Sequence, residues 1–502
     1  MPGDILRMRL VRFVCVWLVL GVLAGAGRGA SAQPGPATQT AVSAKAGAPV
    51  RALLISDIHF DPLHDPGKEQ RLLDAPVSQW RSILSEPDRA NAANEFAALQ
   101  KTCDAHGVDT PWPLLRSSLD AMHAKIPRPA FITLSGDLVA HEFTCRVASG
   151  WVEQGATTYA GFVVKTIAFV VGEIRAEYPG VPLYVSLGNN DSGCSDYHMD
   201  PNSWFLKQVG AYVADAVPAA ERRAVQAEFL VGGYYSARLL APMRATRLIV
   251  LNDLFLSPTY RTCGDARDPA AWSAEVTWLQ RQLAEARANG EQVWVMGHIP
   301  PGVDAYATMR KFRNVCGGEK PDLFLKPDDL DDLLIQYADV VKLALFGHTH
   351  MDEMRLLTPE SGDAQTVARH SVAVKLVASI TPVHGNNPSF TVGEVDPLSA
   401  TLLDYEVIEA SNQTGVDSTW SKEYDFDSTY HERAYSPAAL RQLIGEFRED
   451  PKARSAVSQA YIRHYFKSDL APVLTPFWPQ YTCSLANTTA QSFAGCVCGT
   501  GK

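Results

Sequence analysis

Five short apolar runs in this chain each end in side chains that can bind a metal. ALLIS (52–56) leads into Asp57-Ile-His59, and FITLS (131–135) leads into Gly136-Asp137, with His141 four residues on. LYVSL (183–187) leads into Gly188-Asn189-Asn190-Asp191, QVWVM (292–296) into Gly297-His298, and VKLALF (341–346) into Gly347-His348-Thr349-His350. Runs this short, rich in Val, Ile, Leu and aromatic residues, predict buried strands rather than helices. RLIVL (247–251) reads the same way. Between the runs lie helical patterns. One fills Trp272–Ala288, with Val276, Leu279 and Leu283 at helical spacing and Gly290 as a stop. Strands alternating with helices predict an α/β fold. In such folds ligands gather beyond the carboxyl ends of the strands, where these polar residues stand.

Further along, VKLVASI (374–380), FTVGEV (390–395) and TLLDYEVI (401–408) predict three more strands, with Asp396-Pro397 turning the chain between the last two. Residues 409–432 read as polar and irregular. A helix is expected after Ser436 as N-cap, with Pro437 in its first turn and Leu440, Leu443, Ile444 and Phe447 on its apolar face. A second is expected to begin at Asp450-Pro451, lined by Val457, Tyr461 and Tyr465. At the other end, Arg7, Arg9 and Arg12 precede the apolar stretch Phe13–Ala26 and the small residues Ala30–Ala32. That is the pattern of an export signal, too short to span a bilayer comfortably. The expected organisation is a signal peptide (1–32), a linker (33–50), an α/β domain (51–408) and a helical, cysteine-containing C-terminal subdomain (409–502). The protein is therefore expected to be secreted or periplasmic.

The formal net charge is −10, and residues 1–32 hold four Arg and one Asp (+3), which leaves −13 for the remainder. An acidic chain is a poor partner for a long nucleic-acid polymer, whose binding needs a basic face. A small phosphorylated molecule held through metal is not excluded. Beyond Cys15, the chain has eight cysteines at wide spacing. In an exported chain this predicts disulfides rather than a zinc finger.

The candidate ligands are mixed nitrogen and oxygen with no thiolate, which suits zinc, iron or manganese. Seven of them (Asp57, His59, Asp137, Asn189, His298, His348 and His350) are too many for one tetrahedral ion. They suit two ions sharing a carboxylate, an arrangement used for in-line displacement at phosphorus. The ordered pattern D-x-H, G-D, G-N, G-H, G-H-x-H resembles the calcineurin-like metallophosphoesterases. GDLVAH (136–141), GHIPPG (297–302) and the stretch from Thr381-Pro382 to Asn387-Pro388 are similar to its acid sphingomyelinase branch. Residues 33–50 leave no room for a saposin domain, so the better match is the acid sphingomyelinase-like phosphodiesterases.

The resemblance implies a layered α/β/β/α sandwich with a small helical C-terminal subdomain. It implies two divalent ions, zinc first among them. Asp57, His59, Asp137 and His350 would hold one, and Asp137, Asn189, His298 and His348 the other, with Asp137 bridging. His141, Asn190 and Asp191 would be catalytic, His141 giving the leaving group its proton. The family usually has histidine where this chain has Asn190, and a carboxamide can donate a hydrogen bond but cannot transfer a proton at useful cost. The resemblance also implies a Cys263–Cys316 bridge, while proximity pairs Cys483 with Cys496 or Cys498.

The expected function is an exported, monomeric dimetal phosphodiesterase. It would hydrolyse phosphodiester or phosphoanhydride bonds of small molecules (nucleotides or phosphocholine-type esters) with metal-activated water. Membrane contact is not evident from the sequence. Two alternatives stand beside it: a sphingomyelin phosphodiesterase, and a metal-containing binding protein whose turnover Asn190 has impaired.

Overall fold

Strand alternation decides how the apolar runs are buried. The computed structural model describes residues 48–151, 156–325, 329–466 and 471–499. Its strands, in chain order, are β1 (Val50–Ile55), β2 (Ile132–Ser135), β3 (Leu183–Ser186), β4 (Tyr235–Arg238), β5 (Thr246–Val250), β6 (Gln292–Met296), β7 (Val341–Phe346), β8 (Glu353–Leu357), β9 (Val372–Leu376), β10 (Ser389–Val395), β11 (Leu402–Ala410) and β12 (Trp420–Asp425). They form two six-stranded sheets, ordered β12-β11-β10-β1-β2-β3 and β4-β5-β6-β7-β9-β8. β1, β2 and β3 are parallel, as are β5, β6, β7 and β9, so in each sheet the carboxyl ends of these strands share one edge.

Leu248, Val250, Trp294, Met296, Leu343 and Leu345 share one continuous core with Phe131 and Tyr184, and the Phe131 ring meets Trp294 between the sheets. The alternate residues Ile249, Val293, Val295 and Ala344 face outward into a second core, with Trp278, Leu279 and Leu283 of the helix Pro269–Asn289. On the first sheet, the helices Trp112–Lys125 and Ala156–Glu177 supply Leu115, Leu119, Phe162 and Val170. Both sheets are thus buried on two faces, which is why their strands read as continuous apolar runs. The architecture is the expected α/β/β/α sandwich. The sheets also join at the site edge, through a parallel bridge between Ser56 and Ser379.

All nine expected strands form. Three more, β4, β8 and β12, were not expected, and each lies at the edge of a sheet. β12 and the short helix Phe426–Tyr430 fall within the stretch read as irregular. β12 pairs on one side only and carries Lys422 and Glu423, a composition that protects an edge and hides a strand. The helix Pro437–Glu449 is capped by Ser436 as expected. The next runs Ala456–Phe466 rather than from Pro451, because Ser455 accepts the Ser458 amide and acts as its cap. The C-terminal part lies against the second sheet: Tyr435 Oη, just ahead of the first helix, donates to Val374 O, Tyr465 O of the second accepts from Asp352 N beside β8, and Leu485 O accepts from Leu356 N. The expected signal peptide and residues 33–47 of the linker lie outside the described residues, and Val50 already belongs to β1. No helix among the described residues is long and apolar enough to cross a membrane.

The eight cysteines form four disulfides: Cys103–Cys145, Cys194–Cys263, Cys316–Cys498 and Cys483–Cys496. The Cys263–Cys316 bridge implied by resemblance does not form. Chain pairing next to Cys263 explains why: Met199 N donates to Arg261 O and Cys263 N to Asp200 Oδ1, so the segment after Asn190 lies beside it and brings Cys194. Cys316 belongs to a loop against which the C-terminal tail packs, with Gly302 facing Thr488 and Val303 clustered with Cys483 and Phe493. Of the two partners open to Cys483, it takes Cys496.

Candidate metal centre

The chain turns sharply after β1, β2 and β7, and the turning residues there are the candidate ligands themselves. Asp57, His59, Asp137, His348 and His350 all have left-handed backbone, with φ between 44° and 71°. Non-glycine residues pay for that conformation with roughly 1–3 kcal/mol each, and such outliers persist where surrounding structure holds them in place. The loops here hold one another. Asp57 N donates to Gly136 O, His59 N to Asp137 O and Gly347 N to His298 O. Glycine makes the close approach possible. A Cβ on Gly347 would stand 2.0 Å from Ser56 Oγ and 2.4 Å from Asp57 Oδ2, and one on Gly136 (φ +91°) would meet the His298 ring at 2.6 Å.

All seven candidate ligands come together. His298 Nδ1 faces Ser135 O at 2.8 Å. A carbonyl only accepts, so Nδ1 carries the proton and Nε2 presents a lone pair. That lone pair faces Asp137 Oδ2 at 3.1 Å, Asn189 Oδ1 at 3.2 Å and His348 Nδ1 at 3.3 Å. His59 repeats the device: Nδ1 lies 3.0 Å from Val139 O, and Nε2 faces Asp137 Oδ2 at 3.3 Å and Asp57 Oδ1 at 3.8 Å, with no hydrogen-bond partner of its own. His350 Nε2 lies 3.4 Å from the same Asp57 oxygen. Two sets of converging acceptors therefore meet at one atom, Asp137 Oδ2.

Such a cluster of lone pairs demands cations. Protons alone meet part of that demand. Burial opposes charging His298 and His59, but Asp137 together with the neighbouring carboxylates outweighs it and raises them to about 10 and about 9. Burial and then His298 push His348 down to about 3, and burial and then His59 hold His350 well below its ordinary value. Burial also works against the Asp137 carboxylate, yet His298 and His59 hold it well below the usual range. Neutral imidazoles, ionised carboxylates and one carboxamide oxygen fit divalent metal ions, and a pair of ions meets both halves of the set at once.

Asn189 is oriented by Asp196, which accepts its Nδ2 at 2.8 Å and so turns its oxygen inward. Asn190 donates twice to Asp137, from its backbone N to Oδ1 and from Nδ2 to Oδ2, each at 2.9 Å. Its amide group is thus committed to the shared carboxylate. Asp191, which the resemblance makes catalytic, accepts from Leu138 N, Val139 N and Gly188 N, and clamps the loops after β2 and β3. His141 stacks on His59 at 3.8 Å between ring centroids, with its side chain 30% exposed. Its Nδ1 meets Asp109 Oδ1 at 2.9 Å and its amide donates to Asp109 Oδ2 at 2.8 Å.

Several site residues escaped the sequence reading. Asp109 is buried among His141, Arg146 and Thr381, and against the opposing effect of burial His141 holds its carboxyl well below the usual range. No strand precedes it, so no pattern pointed to it. Asp253 accepts from His298 N and Ile299 N, doing for the second sheet what Asp191 does for the first. It closely follows RLIVL, and the rule that found the other five strand ends would have found it. Tyr197 Oη lies 3.3 Å from His348 Nε2, and the His384 ring lies 4.7 Å from that of His350.

Comparison with known proteins agrees with this geometry. The family model described as calcineurin-like phosphoesterase matches residues 50–352. The chain is 26% identical over 429 residues to sphingomyelinase phosphodiesterase C of Dictyostelium discoideum, covering 82% of this chain and 84% of that one. It is 25% identical to the mouse (Mus musculus) acid sphingomyelinase-like phosphodiesterase 3b, over 89% of this chain and 90% of that one. It is 24% identical to the human (Homo sapiens) cyclic GMP-AMP phosphodiesterase SMPDL3A, over 78% of each.

Proposed function

Because this chain belongs to the calcineurin-like phosphoesterase family, we propose that it is an exported dimetal phosphodiesterase acting on small phosphodiesters or phosphoanhydrides. The observation that carries the reading is the single oxygen, Asp137 Oδ2, within 3.1 Å of His298 Nε2 and 3.3 Å of His59 Nε2. Asp137, Asn189, His298 and His348 would hold one ion, and Asp57, His59, Asp137 and His350 the other. The nitrogen and oxygen ligand set supports zinc. When bound, the ions neutralise the phosphate oxygens and lower the pKa of a coordinated water.

The chain's own residues do the rest. The backbone-bound Nδ1 atoms of His59 and His298 keep both rings in the tautomer that points Nε2 inward. Asp109 fixes the Nδ1 proton of His141, which leaves Nε2 free at the open side of the site to hand a proton to the departing oxygen. Asn190 steadies the shared carboxylate. Four disulfides support an oxidising compartment, as the N-terminal sequence does. The relatives' names, cyclic GMP-AMP phosphodiesterase and sphingomyelinase phosphodiesterase, bracket the substrate between nucleotide and phosphocholine diesters.

The test is a product-identified screen of the zinc-loaded protein on cyclic dinucleotides, nucleotide polyphosphates, phosphocholine esters and bis-nitrophenyl phosphate. Turnover of at least one is expected. Asp137→Asn should lose activity and bound metal together, because a carboxamide has no second anionic oxygen to share between two cations. Full metal content with no turnover of any diester by the wild type would favour a binding protein instead.

A further inference from the structure

The two most exposed large hydrophobic side chains among the described residues are Phe312, at 88%, and Tyr306, at 68%. They stand six residues apart on one loop, which leaves the second sheet just beyond His298 and returns with the Phe324 ring 5.7 Å from that of His348. The loop therefore forms a rim of the metal centre.

That exposure does not come from a slack loop. At its base, Val303 bridges Leu323, Phe324 N donates to Gly302 O, and Arg355 donates to Pro301 O and Val303 O from below. Higher up, Cys316 is bonded to Cys498 of the C-terminal tail. The short helix Ala305–Arg310 buries Ala305 and Thr308 and turns Tyr306 and Arg310 outward on its opposite face. Phe312 follows with φ +52°, an outlier for a bulky residue, which holds the ring out in solvent. Folding gains nothing from an exposed aromatic ring on a strained backbone.

The charge around the rings is the second observation. Met309-Arg-Lys-Phe-Arg313 sets three cations about Phe312 in a chain of net charge −10. The loop's acidic residues are all engaged. Asp304 accepts the Ala307 amide, Glu319 accepts the Asn314 amide, and Asp322 pairs with both Lys311 and Arg313, which leaves Arg310, on the exposed face beside Tyr306, as the cation of this stretch without a carboxylate partner among the described residues. Aromatic rings beside cations on a rigid projection suit the boundary between anionic lipid headgroups and acyl chains.

We propose that this loop docks the protein on anionic bilayer surfaces, with Tyr306 and Phe312 inserted and Arg310 at the headgroups. Docking on this rim turns the metal centre toward the membrane. The consequence, preferential cleavage of diesters held in or near a bilayer, rests on the phosphodiesterase reading; the docking itself does not.

The experiment is co-sedimentation with phosphatidylcholine vesicles containing or lacking phosphatidylserine, run beside turnover of bis-nitrophenyl phosphate in solution. Wild type should sediment at least about threefold more with the anionic vesicles, and less at high salt, as screening requires. Tyr306→Ser/Phe312→Ser should abolish most of that binding, and Arg310→Glu should remove the preference for phosphatidylserine. All variants should keep soluble turnover within about twofold, since charge and aromatic changes at an exposed rim leave the core untouched. Absence of wild-type sedimentation, or sedimentation that the aromatic substitutions leave intact, overturns the proposal. So does binding to poly-glutamate with none to vesicles, which would point to an acidic protein partner. A failure of turnover alone would strike the phosphodiesterase reading and leave docking standing.

Discussion

At the scale of single residues, the proposed function divides the centre into groups that would touch the reaction and groups that hold those groups in place. His141 and Asp109 form one such pair. With Asp109 changed to Asn, the His141 Nδ1 proton loses its anionic acceptor and the ring its fixed tautomer. General acid help is worth about 10²–10⁴-fold where the leaving group needs it. Asp109→Asn and His141→Ala should therefore slow alkoxide-leaving diesters by about 10–100-fold and nitrophenyl diesters only severalfold, given that dependence. A rate series across leaving-group pKa checks this; parallel lines for wild type and variants would remove His141 from proton transfer. Asp191 belongs to the other class. Asp191→Ala leaves three buried backbone amides without an acceptor. Each unsatisfied amide costs about 1–3 kcal/mol, so denaturant unfolding should show a loss of several kcal/mol, together with lower metal content. A catalytic role alone would leave stability unchanged.

At the scale of elements, the site is made by strand ends and kept by the straps between loops. The two aspartate clamps show the logic. Asp191 follows β3 and holds the loop after β2; Asp253 stands just beyond β5 and holds the loop after β6. Each carboxylate ties neighbouring parallel strands at the edge where the ligands emerge. Burial raises both to about 7 despite the amides they accept. The Cys316–Cys498 bridge spans 182 residues of sequence and straps the rim loop to the tail. Replacing both cysteines with Ser should cost about 2–5 kcal/mol of stability, the usual range for a native disulfide. The proposed metal ligands stand at strand ends rather than on the rim loop or the tail, so metal content should stay at the wild-type level while Tm falls. Loss of metal in the double variant would show that the strap supports the centre itself.

At the scale of the whole molecule, the centre stores charge that folding alone leaves unbalanced. In the protein without metal, Asp191 and Asp253 are raised to about 7 from 3.8, and His59 and His298 to about 9 and about 10 from 6.5. A group whose folded pKa is raised binds more protons folded than unfolded between its two values. Its stabilising contribution is complete below the unfolded pKa and is lost as pH rises through the folded one. For the aspartates that window runs from about pH 4 to 7, and for the histidines from about 6.5 to 10. Metal-stripped protein should lose stability as pH rises through neutrality. If metal takes the places of the protons on His59 and His298, as proposed, its binding should release protons and strengthen with pH. The Tm gain on adding zinc to chelator-treated protein should grow from pH 6 to pH 8.5. A gain independent of pH would mean that these two imidazoles are not ligands.

The central strands and the ligands after them were legible because both obey local rules. A strand buried on two faces must be apolar throughout, and a ligand at its carboxyl end must follow within a few residues. The edge strands β4, β8 and β12 were not legible, because a strand paired on one side tolerates charge and reads as loop. Asp253 could have been read, since it follows a strand end; Asp109 could not, since it comes from a loop with no pattern of its own. The role of Asn190 was also beyond the sequence. The resemblance implied a catalytic role for it, and only the fold shows its amide donating to Asp137. The disulfides mark the same limit. Cys483 and Cys496 are close in sequence and were paired by proximity, one of two choices, whereas Cys194–Cys263 and Cys316–Cys498 depend on which distant loops pack together. Periodicity and strand-end chemistry act over a few residues and are written along the chain. Contacts between loops arise only when two sheets close on one core.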